Sequence, residues 1–402
     1  MEVRACTSVA ELRDTVNVIS HYFGSSTELE DAERFARLLE LERVHAVWEQ
    51  GRPVAGAGAF SFQMSVPGGS AIPVAGITIV GVLPTHRRRG LMTALMQARL
   101  DDARARGDVA GALWASEAAI YGRFGYGLAS RVGSVRLASE RTTFAAPVTP
   151  RGTVRLVELD EATRLFPPLY ERAASQRAGM MSRSADWWEI RRLADHPTQR
   201  QGGPKQLALL ELDGAPAGYA IYRIARDWQG GFTKGTLDVL EAVTPTPQAT
   251  RELWRWLFDF DLTSDYAADR LPLDHPLHLL LAEPRRMGFR VEDALWLRLI
   301  DIPAAMAARS FAGEGAVVVE LTDPVLSENA GCWRIGNGGA ERVDAQPEIA
   351  LDVSGLGSVY LGGFSFADLV RGSRAEELVD GAVERADALF RTGAEPWCAE
   401  IF

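Results

Sequence analysis

An internal repeat constrains the fold of this chain more than any other feature of its sequence. Three short motifs recur in the same order: residues 51–56 resemble 214–218, residues 82–84 resemble 243–245, and residues 125–126 resemble 288–289. Each second copy lies 161–163 residues after the first. Because a fixed spacing is typical of duplicated structural units, the motifs favour two copies of one α/β unit. Coincidence among common turn residues is the alternative.

Length and composition set the broad class. A chain of 402 residues is too long for one ordinary core, so we expect two or three domains, and an apolar fraction of 47% is typical of globular proteins. We find no run of eighteen apolar residues and no signal-peptide pattern, which favours the cytoplasm. Three scattered cysteines without a CxxC pair predict neither a disulfide framework nor a metal site. The net charge of −10 favours cationic partners over nucleic acid.

The first copy of the repeat has an alternating pattern of strands and helices. Residues 54–62 and 72–82 are apolar runs on either side of a Pro-Gly-Gly-Ser turn, which predicts two joined strands. Helical spacing of apolar residues predicts a helix over residues 90–107. Residues 109–115 predict a buried strand, and a short helix ends near Gly125. The order is strand, strand, helix, strand, helix.

The character of the sequence changes again after about Asp301. Residues 317–321 and 333–335 predict short strands, and residues 375–391 predict an amphipathic helix. These elements indicate a third domain.

The junction between the second strand and the first long helix is the strongest candidate binding site. Three successive arginines precede Gly90 there. The free N–H groups and the positive dipole end of a helix start bind phosphate, and Gly90 lets the backbone approach an oxygen closely. Arginine side chains add charge that can neutralise a diphosphate and an adenosine 3′-phosphate. A solvated basic patch or a nucleic-acid contact is the alternative.

This junction resembles the pyrophosphate loop of the GNAT superfamily of N-acyltransferases. The pattern Arg87-x-x-Gly90-x-Met92 matches that loop except that Met92 replaces the usual Gly or Ala. The resemblance implies that the preceding strand splays at a bulge, and that backbone groups near Val80 and Val82 pair with the pantetheine arm of coenzyme A.

A second motif, residues 116–126, is similar to the short helix with a Y-x-x-x-G-F/Y ending in these enzymes, and it places Tyr121 at the tyrosine position. A phenol of pKa about 10 can assist a departing thiolate of about 8.5 if hydrogen bonding or positive charge helps it. We expect Arg88 and the helix start to provide that charge. A core aromatic role for Tyr121 is the alternative, and Tyr126 is the expected structural residue.

The second copy lacks this chemistry. Residues 246–253, opposite the arginine loop, contain no glycine, and Pro284 stands opposite Tyr121. We therefore expect a structural or substrate-shaping second unit and one active site per chain.

Two acyltransferase-like units followed by a smaller α/β domain resemble the Eis (enhanced intracellular survival) family of bacterial N-acetyltransferases along the whole chain. Residues 84–91 and 114–126 are the stretches most specific to that family. The resemblance implies an α/β (α+β) fold with a catalytic GNAT domain at 1–145, a degenerate GNAT-like domain at 146–300 and a sterol-carrier-protein-like domain at 301–402. It implies a homohexamer that transfers acetyl from acetyl-CoA to amines of aminoglycosides or lysine side chains. It gives Tyr121 as general acid and the α-carboxylate of Phe402 as base. It implies acetyl-CoA contacts at Val80, Gly81, Val82, Arg88, Arg89, Gly90, Leu91, Met92, Thr93, Ser116 and Glu117.

The end of the chain also has an unusual composition. Trp397, Ile401 and Phe402 are large apolar residues, and each would stabilise the fold by roughly 1.5–3 kcal/mol if fully buried. We therefore expect a docked tail, although docking for packing or assembly alone is the alternative to a catalytic terminus. Glu400, Glu30 or Asp31 could hold a cationic acceptor or could be surface charge.

Two other functions remain open from the sequence. One is a protein-specific lysine or N-terminal acetyltransferase. The other is a non-catalytic module that binds a lipid or another ligand through the third domain.

Overall fold

A computed structural model describes residues 2–147, 149–195, 202–229 and 231–402. The described residues form two compact units that alternate along the chain. The first unit extends to residue 130 and also contains residues 294–393 and 400–402. The second unit lies within residues 131–293 and also contains residues 394–399.

The first unit begins with alternating strands and helices. In chain order they are β1 (Glu2–Ala5), α1 (Val9–Ser20), α2 (Leu29–Ala36), β2 (Val44–Glu49), β3 (Arg52–Ser65), β4 (Ala71–Val82), α3 (Leu91–Ala105), β5 (Ala110–Trp114), α4 (Ala118–Tyr121) and β6 (Gly127–Leu128). Most positions of β3 are buried on both faces, which explains its nearly continuous apolar sequence. The predicted order of strand, strand, helix, strand, helix is confirmed by β3, β4, α3, β5 and α4.

The second unit repeats this arrangement. Its elements are β7 (Arg131–Ala138), β8 (Gly152–Leu156), α5 (Leu159–Ala174), α6 (Ala185–Trp187) with a π-helical turn (Trp188–Leu193), β9 (Gln206–Leu212), β10 (Ala215–Ala225), β11 (Trp228–Gln229), β12 (Phe232–Thr233), β13 (Gly235–Val243), α7 (Pro247–Leu257), β14 (Thr263–Leu271), α8 (Leu277–Leu280) and β15 (Arg290–Asp293). Strands β10 and β13 pair antiparallel and β13 and β14 pair parallel, as β3, β4 and β5 do in the first unit.

The remaining elements belong to the first unit. They are β16 (Leu295–Leu299), α9 (Ile302–Ala308), β17 (Ala316–Thr322), β18 (Gly331–Gly336), β19 (Gly339–Arg342), β20 (Ile349–Asp352), α10 (Val353–Tyr360), α11 (Phe366–Arg371), β21 (Ala375–Glu377) and α12 (Ala382–Phe390). Strands β19-β18-β17-β20-β21 form one sheet in that order, and every residue of α10 is buried.

The two large sheets have the same order of corresponding strands. The first is β1-β2-β3-β4-β5-β16-β6, and the second, in the same direction, is β8-β9-β10-β13-β14-β7-β15. The duplicated unit predicted from the repeat is confirmed. The sequence did not predict that each sheet contains one strand from outside its own copy: β16 follows the second copy but completes the first sheet, and β7 follows the first copy but completes the second sheet. The domain boundaries at 145 and 300 remain predictions.

One predicted element is wrong over part of its length. Residues 375–391 do not form a single helix, because Ala375–Glu377 is an edge strand paired with β20. Helix α12 begins only at Ala382, after Gly381 adopts a left-handed φ of 77°. A glycine in that conformation interrupts the helical backbone, which the apolar spacing alone did not reveal.

Candidate active site

The candidate site opens where β4 and β5 separate. These strands pair only at Val74–Gly76 with Ala110–Ala112, although β4 continues to Val82 and β5 to Trp114. The two strands therefore leave unpaired backbone facing the opening beyond Gly76. Unpaired strand backbone is a template for an extended ligand.

A β-bulge in β4 lies just beyond this separation. The pairing of β3 with β4 shifts between Gly56 and Gly58, and Ile79 lies in the extra segment of β4 with a φ of 50°. A β-branched residue with positive φ is a genuine outlier, and bulges commonly re-aim a strand beside a functional site. The splayed, bulged strand that the resemblance implied is present.

The start of α3 supplies free donors. Arg88 and Gly90 both have positive φ, at 62° and 78°, and the first intrahelical bond runs from the Ala94 N–H to the Gly90 carbonyl at 3.0 Å. The N–H groups of the preceding turn have no helical acceptor. A Cβ built on Gly90 meets nothing within 4 Å, so this residue borders open space. The geometry is that of an anion-binding helix start.

A cavity of about 910 Å³ joins these features. Its walls include Val80, Gly81, Val82, Arg88, Gly90, Leu91, Met92, Thr93, Ser116, Glu117 and Tyr121, which the sequence had marked as site residues. Arg89 does not line it: one Arg89 nitrogen is 3.4 Å from the Thr85 carbonyl oxygen, and another is 3.9 Å from Glu49. Phe402 does not line it either.

Sequence reasoning marked only part of the cavity wall. Ile19, Tyr22, Phe23, His86, Ile120 and Arg123 also line it, as does Arg87, which the arginine motif had included. Tyr22 and Phe23 are exposed by 44% and 69%, and the Tyr22 hydroxyl donates to the Val82 carbonyl at 2.5 Å. Their spacing carried no motif, and exposed aromatics after a helix were the only available signal.

His86 is held by two side chains. Its Nε2 lies 2.6 Å from Glu49, and its Nδ1 lies 2.8 Å from the Thr85 hydroxyl. The hydrogen bond with His86 is the main cause that lowers the pKa of Glu49. This pair fixes the turn that precedes the arginines.

Tyr121, the last residue of α4, is 5% exposed. Burial raises its pKa above the ordinary value of 10.0, and a hydrogen bond with Ser116 acts in the opposite direction. The pKa of Tyr121 is therefore shifted by burial and by Ser116, and not by Arg88 as the sequence had suggested. Tyr126 stacks edge-on against Tyr121 with ring centroids 6.2 Å apart, and its buried hydroxyl has no hydrogen-bond partner among the described residues. The structural role expected for Tyr126 fits this placement.

The end of the chain docks as expected. Cys398, Ala399 and Glu400 are buried. The ring of Phe402 packs on Phe62 with centroids 5.1 Å apart.

Phe402 lies close to the point where β4 leaves β5. A Cβ added to Gly76, the last paired residue of β4, would lie 3.2 Å from the Phe402 ring. The chain end therefore lies at the vertex of the opening between the two strands.

The second unit retains the bulge but not the open site. The pairing of β10 with β13 shifts between Val239 and Glu241, as β4 does at the corresponding position. Glu241 is buried and accepts hydrogen bonds from Arg183 and from Tyr219, both at 2.6 Å. Thr246 caps the start of α7 through a 3.2 Å bond from the Ala249 N–H. Ionic contacts and a capped helix thus stand where the first unit has its cavity.

Comparison with known proteins agrees with this architecture. The acetyltransferase (GNAT) domain family matches residues 2–129, a second acetyltransferase (GNAT) domain family matches residues 179–299, and the sterol carrier protein domain matches residues 302–399. An uncharacterized N-acetyltransferase of Streptomyces avermitilis is 37% identical, with 96% of this chain and 95% of the relative covered.

Two mycobacterial proteins extend the comparison. The N-acetyltransferase Eis of Mycobacterium tuberculosis is 34% identical, with 82% of this chain and 80% of that protein covered. The crystal structure of Eis1 from Mycobacterium abscessus superposes with a TM-score of 0.87 at 33% identity, and both chains are covered completely.

The fold, the site and these matches define an N-acetyltransferase with two GNAT domains and a sterol carrier protein domain. The chain belongs to the Eis family.

Proposed function

We propose that the enzyme transfers acetyl from acetyl-CoA to a primary amine of a cationic acceptor in a ternary complex. The observation that carries the proposal is the cavity that joins a free helix start, an open strand edge and a buried tyrosine. A cofactor with a charged diphosphate, an extended amide arm and a reactive thioester matches these three parts in order.

The α3 start would hold the phosphates. The N–H groups of Leu91, Met92 and Thr93 point out of the first helical turn, and Arg88 borders the same cavity. Arg89 lies outside the cavity and near Glu49. Its proposed role is therefore to add positive charge near the phosphates rather than to form part of the cavity wall.

The β4 edge would hold the pantetheine arm. Val80, Gly81 and Val82 line the cavity beyond the last pairing with β5. A Cβ on Gly81 would lie 3.1 Å from Ile19, so the glycine lets α1 pack closely behind the binding edge. Ser116 and Glu117 form the facing wall after β5.

Tyr121 would act as the acid. As the amine nitrogen attacks the thioester carbonyl, the C–S bond breaks and negative charge develops on sulfur. Because burial raises the pKa of Tyr121, the phenol stays protonated and can donate a hydrogen bond or a proton to the leaving thiolate.

The α-carboxylate of Phe402 would accept the amine's proton, directly or through water. Its support is the docking of the tail and the position of the Phe402 ring next to Gly76. A free carboxylate has a low ordinary pKa of about 3.5, so a relay through water is the easier role.

The acceptor would be an aminoglycoside-type small molecule or a lysine side chain. The net charge of −10 supports attraction of cations. Glu400, Glu30 and Asp31 are the candidates for holding its ammonium group. Glu400 is buried near the end of the tail, and Asp31 is paired with Arg34.

The proposal also covers assembly and location, on the basis of the family resemblance. We propose a homohexamer in the cytoplasm. Within the described part of the chain, no helix combines the length and the apolar character that crossing a membrane requires.

Release of free coenzyme A tests the proposal. The enzyme is incubated with acetyl-CoA and, in turn, a polyamine, an aminoglycoside and a lysine peptide. We expect amine-dependent release with at least one of them and a rise in melting temperature with acetyl-CoA alone. No shift and no release would contradict the proposed donor. A shift with release confined to a single protein substrate would favour a protein-specific acetyltransferase.

A further inference from the structure

A buried ion pair joins the sterol carrier protein domain, which contains Asp323, to the turn that follows Tyr121. Asp323 follows β17, and Arg298 lies on β16. Both side chains are fully buried, and the Arg298 Nη2 lies 3.0 and 2.8 Å from the two Asp323 oxygens. The other terminal nitrogen, Nη1, donates to the Phe124 carbonyl at 2.7 Å. One guanidinium therefore connects Asp323 to the short helix Gly122–Phe124 directly after Tyr121.

The far end of this connection is itself fixed. Oδ1 of Asp323 accepts the backbone N–H groups of Val325 and Leu326 at 3.0 and 2.9 Å. The Asn329 amide donates to the other oxygen at 3.3 Å. With these partners Asp323 is a rigid support rather than a mobile surface charge.

The turn that follows Tyr121 is tightly packed. Gly125 has a φ of 82°, and a Cβ there would lie 1.6 Å from the Arg298 Nη1. A Cβ on Gly127 would lie 1.8 Å from the Ser354 carbonyl oxygen of α10. Leu326 belongs to the same buried cluster as Tyr121 and Phe124.

We propose that Arg298 and Asp323 are positioning residues for Tyr121, and that the sterol carrier protein domain thereby serves catalysis in the first GNAT domain. The inference rests on the proposed acid. The guanidinium fixes the position of the Phe124 carbonyl. Because the turn between Tyr121 and Phe124 is tight, this also fixes the direction of the Tyr121 phenol. Displacing a catalytic group by about 1 Å can cost about 10²-fold in rate.

Asp323→Asn is the sharpest test, because it removes the charge and the contacts of one oxygen but keeps the backbone contacts of the other. The remaining amide oxygen can still accept from Val325 and Leu326, but the new NH₂ faces the donors of Arg298 and Asn329. We expect kcat to fall about 10–10²-fold while the Kd for acetyl-CoA changes less than about twofold. Faster amide hydrogen exchange at Gly125 and Tyr126 would report the loosened turn directly.

Asp108→Asn is the matched control. Asp108 forms a buried pair with Arg43 in the same unit, with side chains 7% and 2% exposed, but it precedes β5 whereas Tyr121 follows it. This variant should lose stability with kcat within about twofold of wild type. If Asp323→Asn does not fold, Arg298→Lys replaces it: the ammonium keeps the charge but has all its donors on one nitrogen, so it loses the planar fork that joins Asp323 to the Phe124 carbonyl through two nitrogens.

A double-mutant cycle separates positioning from general damage. If the pair acts through Tyr121, Asp323→Asn should cost less than about twofold in the Tyr121→Phe background. The same loss in the wild-type and Tyr121→Phe backgrounds would overturn the positioning role and leave the acid in place. A harmless Tyr121→Phe would instead overturn the proposed acid, and the inference with it.

Discussion

Replacement of Tyr121 by Phe isolates one hydroxyl, and the neighbouring Tyr126 offers a matched control. The two rings contact each other and lie in one buried cluster. Only Tyr121 lines the cavity, where it bonds Ser116. Two substitutions of identical chemistry should therefore have opposite consequences.

The expected magnitudes follow from these surroundings. Tyr121→Phe should lower kcat about 10²–10⁴-fold, which corresponds to about 2.7–5.4 kcal/mol of transition-state stabilisation. Acetyl-CoA affinity should change little, since the hydroxyl acts as charge develops on sulfur. Loss of the bond to Ser116 should cost about 0.5–1.5 kcal/mol in the free energy of unfolding. Tyr126→Phe removes a buried hydroxyl without a described partner, so stability should hold or rise and kcat should stay the same.

Single-turnover kinetics, calorimetric titration of acetyl-CoA and urea unfolding measure these quantities. The rate of the wild type should also show no alkaline decline below about pH 10 caused by the acid, because the pKa of Tyr121 is raised. Full turnover in Tyr121→Phe together with a defect in Tyr126→Phe would refute the reasoning and exchange the two roles.

Three further predictions concern other parts of the chain. Arg88→Ala should weaken acetyl-CoA binding by about 1.5–3 kcal/mol, as measured by calorimetry. Calorimetry of the wild type should give one site per chain. Two sites would contradict the expectation that the second unit has lost its acetyl-CoA site. Amidation of the Phe402 carboxylate should abolish turnover while acetyl-CoA still binds. The control is free-acid protein made by the same semisynthetic route. Equal turnover in the two proteins would show that the tail serves packing only. Burial lowers the pKa of His275 to about 3, so this group's contribution to stability is complete above pH 6.5 and is lost as the pH falls toward 3, by up to about 1.4 kcal/mol per pH unit. The amide oxygen of His275→Asn can still accept from the Leu277 N–H, so this variant should lose less stability than the wild type as the pH falls, as measured by thermal unfolding. An unchanged dependence of stability on pH would assign the loss to other groups.

The sequence was sufficient for features that depend on local pattern. The turn between β3 and β4, the start of α3 at Gly90 and the presence of Tyr121 in the cavity wall each follow from residue type and short spacing. The repeat extended this to a second α/β unit, but not to the order of strands in the sheets. Local signals of this kind survive folding because backbone conformation and capping depend on near neighbours.

Long-range features could not be read in the same way. Nothing near residue 298 indicates that its side chain reaches the Phe124 carbonyl, because that contact depends on an exchanged strand. Tyr22 and Phe23 likewise become part of the cavity only when the turn after α1 is placed beside β4. The upward shift in the pKa of Tyr121 follows from burial, which the positive charge expected from Arg88 did not offset.

The late origin of β16 determines when the first GNAT domain can complete its fold during synthesis. β6 pairs with β16 and with no other strand of the described first sheet. Residues 127–128 therefore have no strand partner until residues 295–299 have been synthesised. A ribosome adding about 5–20 residues per second has to make the whole second copy in that interval. The nascent first copy therefore leaves the ribosome with an open sheet edge, and a message truncated after the first GNAT domain would yield a chain that cannot complete its own sheet.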